Sequence, residues 1–360
     1  MFTKEDKIRL IETLSNANGP SGFEDEVIGI AAGVAGDVCD ASRDRMNNLY
    51  LKRRDNGGGR PVIWLDAHSD EVGFIVQAIR PNGTLAFLPV GGWNNANVPS
   101  SKVRVRNEDG VWVPGIVAAK PVHFMSAAER GKAPEFADMS IDIGACSAKE
   151  VEEKFRIRVA APVVPDVACE YDDEHDLFLG KAFDCRVGCA ALLDTLYRLA
   201  GEDLACDVEA TLTSQEEVGE RGASAAAGRM KHADVCVLFE GCPADDTFTP
   251  DYLIQAGLRR GPMLRHFDVC MITNPRFQRW VLDLAKEKDI PVQEAVRAGG
   301  GTNAGIIHKQ EYGIPCVVIG IPVRYIHSHH GYCTLEDYES AVRLAVAICE
   351  DLTAEKLAEF

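Results

Sequence analysis

Glu216 and Glu217 stand side by side behind a short β-like run, Asp207 to Thr213. Neighbouring side chains diverge, so an adjacent acid pair suits two jobs, one carboxylate holding a cation and the other moving a proton of a water. Alone the pair says little, because most such dipeptides lie on solvated loops. Its neighbours in the fold give it meaning. His68 and Asp70 follow an apolar run, Pro61 to Asp66, in the order Ala67-His-Ser-Asp-Glu-Val-Gly73. A carboxylate two residues beyond an imidazole can orient it. Asp184 precedes an amphipathic stretch, Arg186 to Leu199, where its ordinary use would be a helix cap. Glu240 closes the apolar run Val235 to Phe239, and His327 follows Pro315 to Ile321. Together His68, Asp184, Glu217, Glu240 and His327 form a mixed nitrogen and oxygen donor set. It suits zinc, cobalt or manganese better than calcium, which takes an all-oxygen shell. Five ligands exceed one tetrahedral site and fit two cations if one carboxylate bridges.

The elements that carry these residues follow an α/β pattern. Pro61–Asp66, Asp207–Thr213, Val235–Phe239 and Pro315–Ile321 read as buried strands. Between and around them lie helical stretches from Thr3, Glu24, Arg186, Gly222, Phe277 and Asn303, and a closing helix capped by Thr334. Such sheets gather ligands at the carboxyl ends of their strands. Gly299-Gly-Gly-Thr302 lacks a P-loop lysine and reads as a tight turn beside the site. After Gly73 the texture changes. Phe74–Ile79 and Thr84–Val90 flank the turn Pro81-Asn-Gly83, and Lys102–Arg106 and Val111–Val117 form a second hairpin. Met139–Ile143 and Arg156–Val164 add strand-like runs, with a capping box Ser147 to Glu150 between them. Residues 72–164 therefore read as a small β-barrel domain, inserted between two pieces, 1–71 and 165–360, of an α/β domain. Its short strands leave edges that need covering.

Composition narrows the partners. The chain has 360 residues, 46% hydrophobic and 26% charged, with a net charge of −17 that argues against a nucleic-acid backbone. No apolar run is long enough for a membrane span. The charged start, Met1-Phe-Thr-Lys-Glu-Asp, does not look like a signal peptide. Twelve cysteines without a CxxC pair suggest reduced thiols and a cytoplasmic location.

The chain resembles the glutamyl/deblocking aminopeptidases that assemble as tetrahedral (TET) particles, a group also called endoglucanases in places. The motifs that carry the resemblance are Ala67–Gly73, Lys120-Pro-Val-His123, Ile141-Asp-Ile-Gly-Ala145, Gly180-Lys-Ala-Phe-Asp-Cys-Arg-Val-Gly-Cys189, Gln215-Glu-Glu-Val-Gly219, Gly299–Thr302 and Pro322-Val-Arg-Tyr-Ile-His-Ser328. The resemblance implies a mixed-sheet α/β/α two-zinc exopeptidase domain, with the inserted barrel used for assembly. It implies two divalent ions per chain, zinc or cobalt, with Asp184 as the bridge. His68, Asp184 and Glu240 would hold one ion, and Asp184, Glu217 and His327 the other. Glu216 would be the general base on a metal-bound water, and Asp70 would orient His68. Peptides would lose N-terminal residues, and dimers would close into a homo-oligomer such as a dodecamer.

Three positions depart from the family pattern, which usually has Asp at each. Glu240 can still bind metal with one more methylene of reach. Cys185 is either a soft extra ligand or, in its ordinary role, a small buried residue. Asn303 has no explanation at the level of sequence. His329 and His330 lack counterparts and read as a polar loop. Glu240 keeps a rival open, a carboxypeptidase or N-acyl-amino-acid deacylase using the same metals. That rival needs a cation for the substrate carboxylate, and Arg324, Arg259 and Arg260 are the candidates. A glycosidase using Glu216 and Glu217 fits poorly, since adjacent residues rarely flank a sugar ring and both histidines would be idle. A non-catalytic scaffold would not need Glu216 and all five ligand positions.

Overall fold

A computed structural model describes residues 2–360. The first strands are β1 (Cys39–Arg43), β2 (Leu49–Arg53) and β3 (Val62–His68). Six more follow in the middle of the chain: β4 (Gly73–Ile79), β5 (Leu85–Val90), β6 (Lys102–Arg106), β7 (Trp112–Ala118), β8 (Ser140–Asp142) and β9 (Pro162–Pro165). The remainder are β10 (Glu170–Asp172), β11 (Leu177–Gly180), β12 (Asp207–Thr213), β13 (Val235–Pro243), β14 (Met263–Phe267), β15 (Gln293–Val296), β16 (Cys316–Val323) and β17 (Gly331–Cys333).

Eight of these form one mixed sheet in the order β1-β2-β12-β3-β13-β16-β14-β15. The middle four, β12, β3, β13 and β16, are parallel. Antiparallel pairs flank them. The central strands are covered on both faces, which is why they read as nearly continuous apolar runs. Side-chain alternation along each strand then sets the layers. Ile63, Leu65 and Ala67 face a core shared with helices Lys4–Asn16, Asp25–Ala35, Phe183–Arg198, Pro275–Glu287 and Leu335–Asp351. Trp64, Leu238 and Val318 face a second core, closed by helices Arg221–Arg229 and Ala304–Ile307. By the same parity Asp66 and His68 share the face of Trp64, and Glu240 shares that of Leu238.

The barrel closes in the order β4-β5-β8-β7-β6-β9, every neighbour antiparallel. Phe74, Val76, Leu85, Phe87, Val103 and Val105 alternate into its core. Closure leaves no free edge, so the edges expected to need covering do not exist. The barrel instead exposes apolar side chains at Ile116, Val122 and Phe124.

Three element expectations need correction. Arg156–Val164 is not one strand, because Arg156 and Ala160 take left-handed φ values of 57° and 67° and β9 starts only at Pro162. β3 and β13 run further than their apolar runs, so His68 and Glu240 lie within strands. The helical stretch expected from Asn303 is a single short turn, Ala304–Ile307. β10, β11 and β17 form a separate three-stranded sheet. Among the described residues no helix is long and apolar enough to cross a membrane.

Candidate active site

The parallel centre of the sheet brings the predicted residues together at its carboxyl end, where such sheets bind ligands. Thr213 pairs with His68 at the ends of β12 and β3, so the Glu216–Glu217 loop emerges beside the imidazole. Glu240 comes from β13, and His327 from the loop after β16. Asp184 lies at the start of helix Phe183–Arg198 but with extended φ −84° and ψ 106°, and the Asp184–Cys185 peptide is cis. It is not a helix cap. Gly241 admits it: a Cβ there would come within 2.7 Å of the Asp184 Cα.

Asp184 stands between the two histidines. Its Oδ1 is 2.8 Å from His68 Nε2, and its Oδ2 is 3.2 Å from His327 Nε2. Glu240 Oε1 lies 3.2 Å from His68 Nε2, and Glu217 Oε2 lies 3.4 Å from His327 Nε2. Glu216 Oε2 is next in line, 3.9 Å from His68 Nε2. Asp184, Glu216, Glu217, Glu240 and His327 line one cleft of about 400 Å³, and His68 is buried.

Several supports hold this arrangement. His327 Nδ1 faces the carbonyl of Gly92 at 2.9 Å, which makes Nδ1 the donor, so that in the neutral ring Nε2 is the lone-pair nitrogen. Gly92 belongs to the barrel, so the inserted segment reaches into the site. Asp70 does more than the sequence suggested. Its Oδ1 is 3.4 Å from His68 Nδ1 without hydrogen-bond geometry. Its firm contacts are with two backbone groups and one hydroxyl: Glu216 N–H donates at 2.9 Å, Glu217 N–H at 3.1 Å, and the Ser21 Oγ–H at 2.6 Å. One buried carboxylate thus fixes the backbone of the acid pair beside the histidine. Behind it Glu71 accepts from Lys181 at 2.6 Å and Arg186 at 3.3 Å, all three fully buried. Arg186 also donates to the carbonyls of Ser69, Leu14, Ala17 and Gly19. Removing one partner of such a cluster typically costs about 3–5 kcal/mol.

The structure accounts for Asn303. Its Nδ2 donates to Asp66 Oδ2 at 2.8 Å and to Thr213 Oγ1 at 2.7 Å, fully enclosed. Asp66 also accepts from Thr211 Oγ1, which in turn accepts from Trp64 Nε1. An acid at position 303 would face a buried acid, and an amide satisfies it.

The donor set fits divalent cations. Glu217 Oε1 and Glu240 Oε1 are buried acceptors without a partner. Ligand atoms of His68, Asp184, Cys185 and Glu240, and of Asp184, Glu217 and His327, form two groups, each within 4.8 Å of one another, and His68, Glu216 and Glu217 form a third. The electrostatics agree. Burial opposes a charged His68, yet Glu216 and Glu240 beside it push its pKa well above the ordinary value. Burial likewise opposes charge on His327, but Asp184 and Glu217 raise it to about 9. Burial and the charge of Asp184 push Glu217 up to about 8. Burial, with Glu240 and Glu217 adding to it, also holds Glu216 well above the usual carboxylate range. Asp184 goes the other way: burial resists, but His327 and His68 hold it well below. Without cations the site therefore retains protons where cations would sit.

Two residues of the cleft were not anticipated. Arg265, on β14, and Arg297, just after β15, line its wall. Arg265 pairs with Asp268 at 3.0 Å and Arg297 with Asp245 at 3.2 Å, and each keeps a buried Nε–H without an acceptor. No motif marks them; the Gly-rich turn that follows Arg297 was the available signal. The three arginines considered from sequence do not line this cleft. Arg324 is held by Asp246 through two bonds of 2.9 and 2.6 Å, and the Arg259 side chain donates to the carbonyl of His175.

A three-layer α/β/α fold with an inserted barrel, and histidines and acids gathered at the strand ends, defines a metallohydrolase. Residues 47–344 match the family model described as M42 glutamyl aminopeptidase, and the chain belongs to that family. It is a metallo-aminopeptidase. A glutamyl aminopeptidase of Lactococcus lactis is 31% identical over 88% of each chain. Among solved structures, the TET aminopeptidase of a marine-sediment Thaumarchaeota archaeon is 37% identical, with a TM-score of 0.93 over 98% of this chain and 99% of that one. The TET1 peptidase of Pyrococcus horikoshii, reported to assemble into a tetrahedron or a large octahedral shell, is 26% identical, with a TM-score of 0.86 over 96% and 100%.

Proposed function

We propose that this aminopeptidase removes single acidic residues from the N-termini of peptides. In this reading it uses two divalent cations, zinc or cobalt. One is held by His68, Asp184 and Glu240, the other by Asp184, Glu217 and His327. The observation that carries the two-cation reading is Asp184, whose two oxygens face two different histidines. When bound, the cations supply Lewis acidity for the scissile carbonyl and acidify the attacking water. Glu216 takes that water's proton and later delivers it to the leaving amine. Its position supports this, because Glu216 stands beside the ligand groups with Oε2 3.9 Å from His68 Nε2. Asp70 keeps Glu216 in place through the backbone and flanks His68. The acidic preference is supported by Arg265 and Arg297 in the cleft wall and by the name of the Lactococcus relative.

We divide the chain into a catalytic domain, 1–71 and 165–360, and an assembly domain, 72–164. The exposed Ile116, Val122 and Phe124 suit the assembly domain for contact with further copies of the chain, in the manner of the Pyrococcus peptidase. Twelve unpaired cysteines suit a reducing compartment, the cytoplasm.

The test is a substrate panel. Glu- and Asp-p-nitroanilide should be cleaved with higher kcat/KM than the Leu and Lys compounds. Arg297→Met should lower kcat/KM for Glu about 10- to 100-fold, the loss of a charge-assisted contact, with little change for Leu. The same amino acids N-acylated with a free carboxyl terminus should resist cleavage. Hydrolysis of only the acylated set would overturn the reading in favour of a carboxypeptidase or deacylase. Light scattering should give a mass far above the chain's 39.2 kDa.

A further inference from the structure

We propose that Cys185 is a fourth, sulfur ligand to the cation held by His68, Asp184 and Glu240. The inference rests on the two-cation reading above and adds a ligand to one of its two sites. The Cys185 Sγ and one ligand atom each of His68, Asp184 and Glu240 all lie within 4.8 Å of one another. Cys185 is fully buried, and Glu240 Oε1 in the same group is a buried acceptor that receives no well-formed hydrogen bond, 3.2 Å from His68 Nε2. The sulfur has a built seat. It faces the carbonyl of Phe239 at 3.3 Å, and a Cβ at position 188 would sit 2.4 Å from it, so Gly188 leaves the space it fills. The other thiol nearby, Cys189, faces the His68 carbonyl at 3.0 Å and belongs to neither ligand group.

Chemistry gives the sulfur a purpose. One imidazole and two carboxylates leave room for a further protein ligand beside the reacting water in an expanded, five-coordinate shell, and thiolate would supply it. Coordination breaks the S–H bond, forms a sulfur–metal bond and releases one proton to solvent; the Phe239 carbonyl loses a weak donor. The resulting N, O, O, S shell is softer than the all-N,O shell of Asp184, Glu217 and His327. The two sites are then unlike. The sulfur-bearing one selects zinc, cobalt or cadmium over manganese and magnesium. Thiolate also adds a negative charge, so that cation is the weaker Lewis acid of the pair. A cysteine that merely packs would confer none of these properties.

The test uses the full-length protein, stripped with chelator and reloaded with cobalt(II). The wild type should show a sulfur-to-cobalt charge-transfer band in the near ultraviolet. Cys185→Ser should lose it while Cys189→Ser keeps it. Cys185→Asp, which offers a carboxylate in the same place, should fold, bind cobalt and lack the band. Competition between cadmium and manganese should also shift toward manganese in Cys185→Asp. A shift of about tenfold or more is expected, since even outer-shell changes reach 10- to 100-fold. A wild-type protein holding two cobalt ions per chain without the band overturns the sulfur ligand and leaves the two-cation reading intact. A wild type that holds one cobalt with the band supports the sulfur ligand and overturns the two-cation reading. A band retained in both Cys185 variants overturns the proposal as well.

Discussion

Replacing Asn303 by Asp should weaken this protein in a pH-dependent way. Asn303 Nδ2 now lies 2.8 Å from Asp66 Oδ2. A carboxylate there would put two like charges at that separation, worth about 6 kcal/mol of repulsion at an effective dielectric near 20. The pair avoids that cost by keeping one proton. In the natural protein burial raises Asp66 to about 6, with Thr211 and Asn303 working against the shift. Below that pH the natural protein already holds a proton here, and the variant gains little disadvantage. Above it the natural folded state releases the proton while the variant keeps one. The variant's folded pKa is raised above its unfolded value, so its stability falls as pH rises. The slope is about 1.4 kcal/mol per pH unit, giving a further loss of about 3 kcal/mol between pH 6 and pH 8. Urea unfolding of chelator-treated protein at pH 6, 7 and 8, at one protein concentration, measures this against the wild type. A stability difference that does not change across that range would refute the account of Asn303.

Glu216→Gln should keep both cations and lose turnover about 10²- to 10⁴-fold, the usual contribution of a positioned general base. Glu217→Gln should instead lower metal occupancy, and the reverse pattern would exchange the two roles. Asp184→Ala should lose both cations, because its oxygens face both histidines; two retained metal equivalents by elemental analysis would remove the bridge. Metal affinity at the His327 site should rise between pH 6 and pH 8. His327 at about 9 and Glu217 at about 8 hold protons in the metal-free protein. Each displaced proton should add about tenfold per pH unit. A dissociation constant flat across that window would count against those proton positions.

The sequence reveals the site better than it reveals the sheet. His68, Glu217, Glu240 and His327 follow apolar runs long enough to be read as strands, and their residue types fit one chemistry. Their convergence depends on the order β12-β3-β13-β16, which no local pattern encodes. β1 was missed because its Cys39-Asp-Ala-Ser-Arg43 is mostly exposed and polar, and it pairs only with β2. Arg265 and Arg297 were missed because a charged residue in a strand or turn reads as surface until the fold turns it into a cleft. Asn303 and Asp66 are far apart in the chain, so the reason for one cannot be found without the other. Spacing and the family resemblance tie Asp70 only to His68. The structure adds Glu216 and Glu217, whose N–H groups it holds across the loop.

The Gly91-Gly92-Trp93 loop ties the barrel to the chemistry. Gly91 has φ +81°, and a side chain there would strike Val72 and Glu217. Trp93 stacks on Phe74 inside the barrel and meets His329 of the loop that carries His327. The barrel is therefore not a detachable module. A chain trimmed of residues 72–164 would leave the imidazole of His327 without the Gly92 carbonyl that its Nδ1 faces. Insertion and active centre share a boundary, drawn through the Gly92 carbonyl and the His327 imidazole.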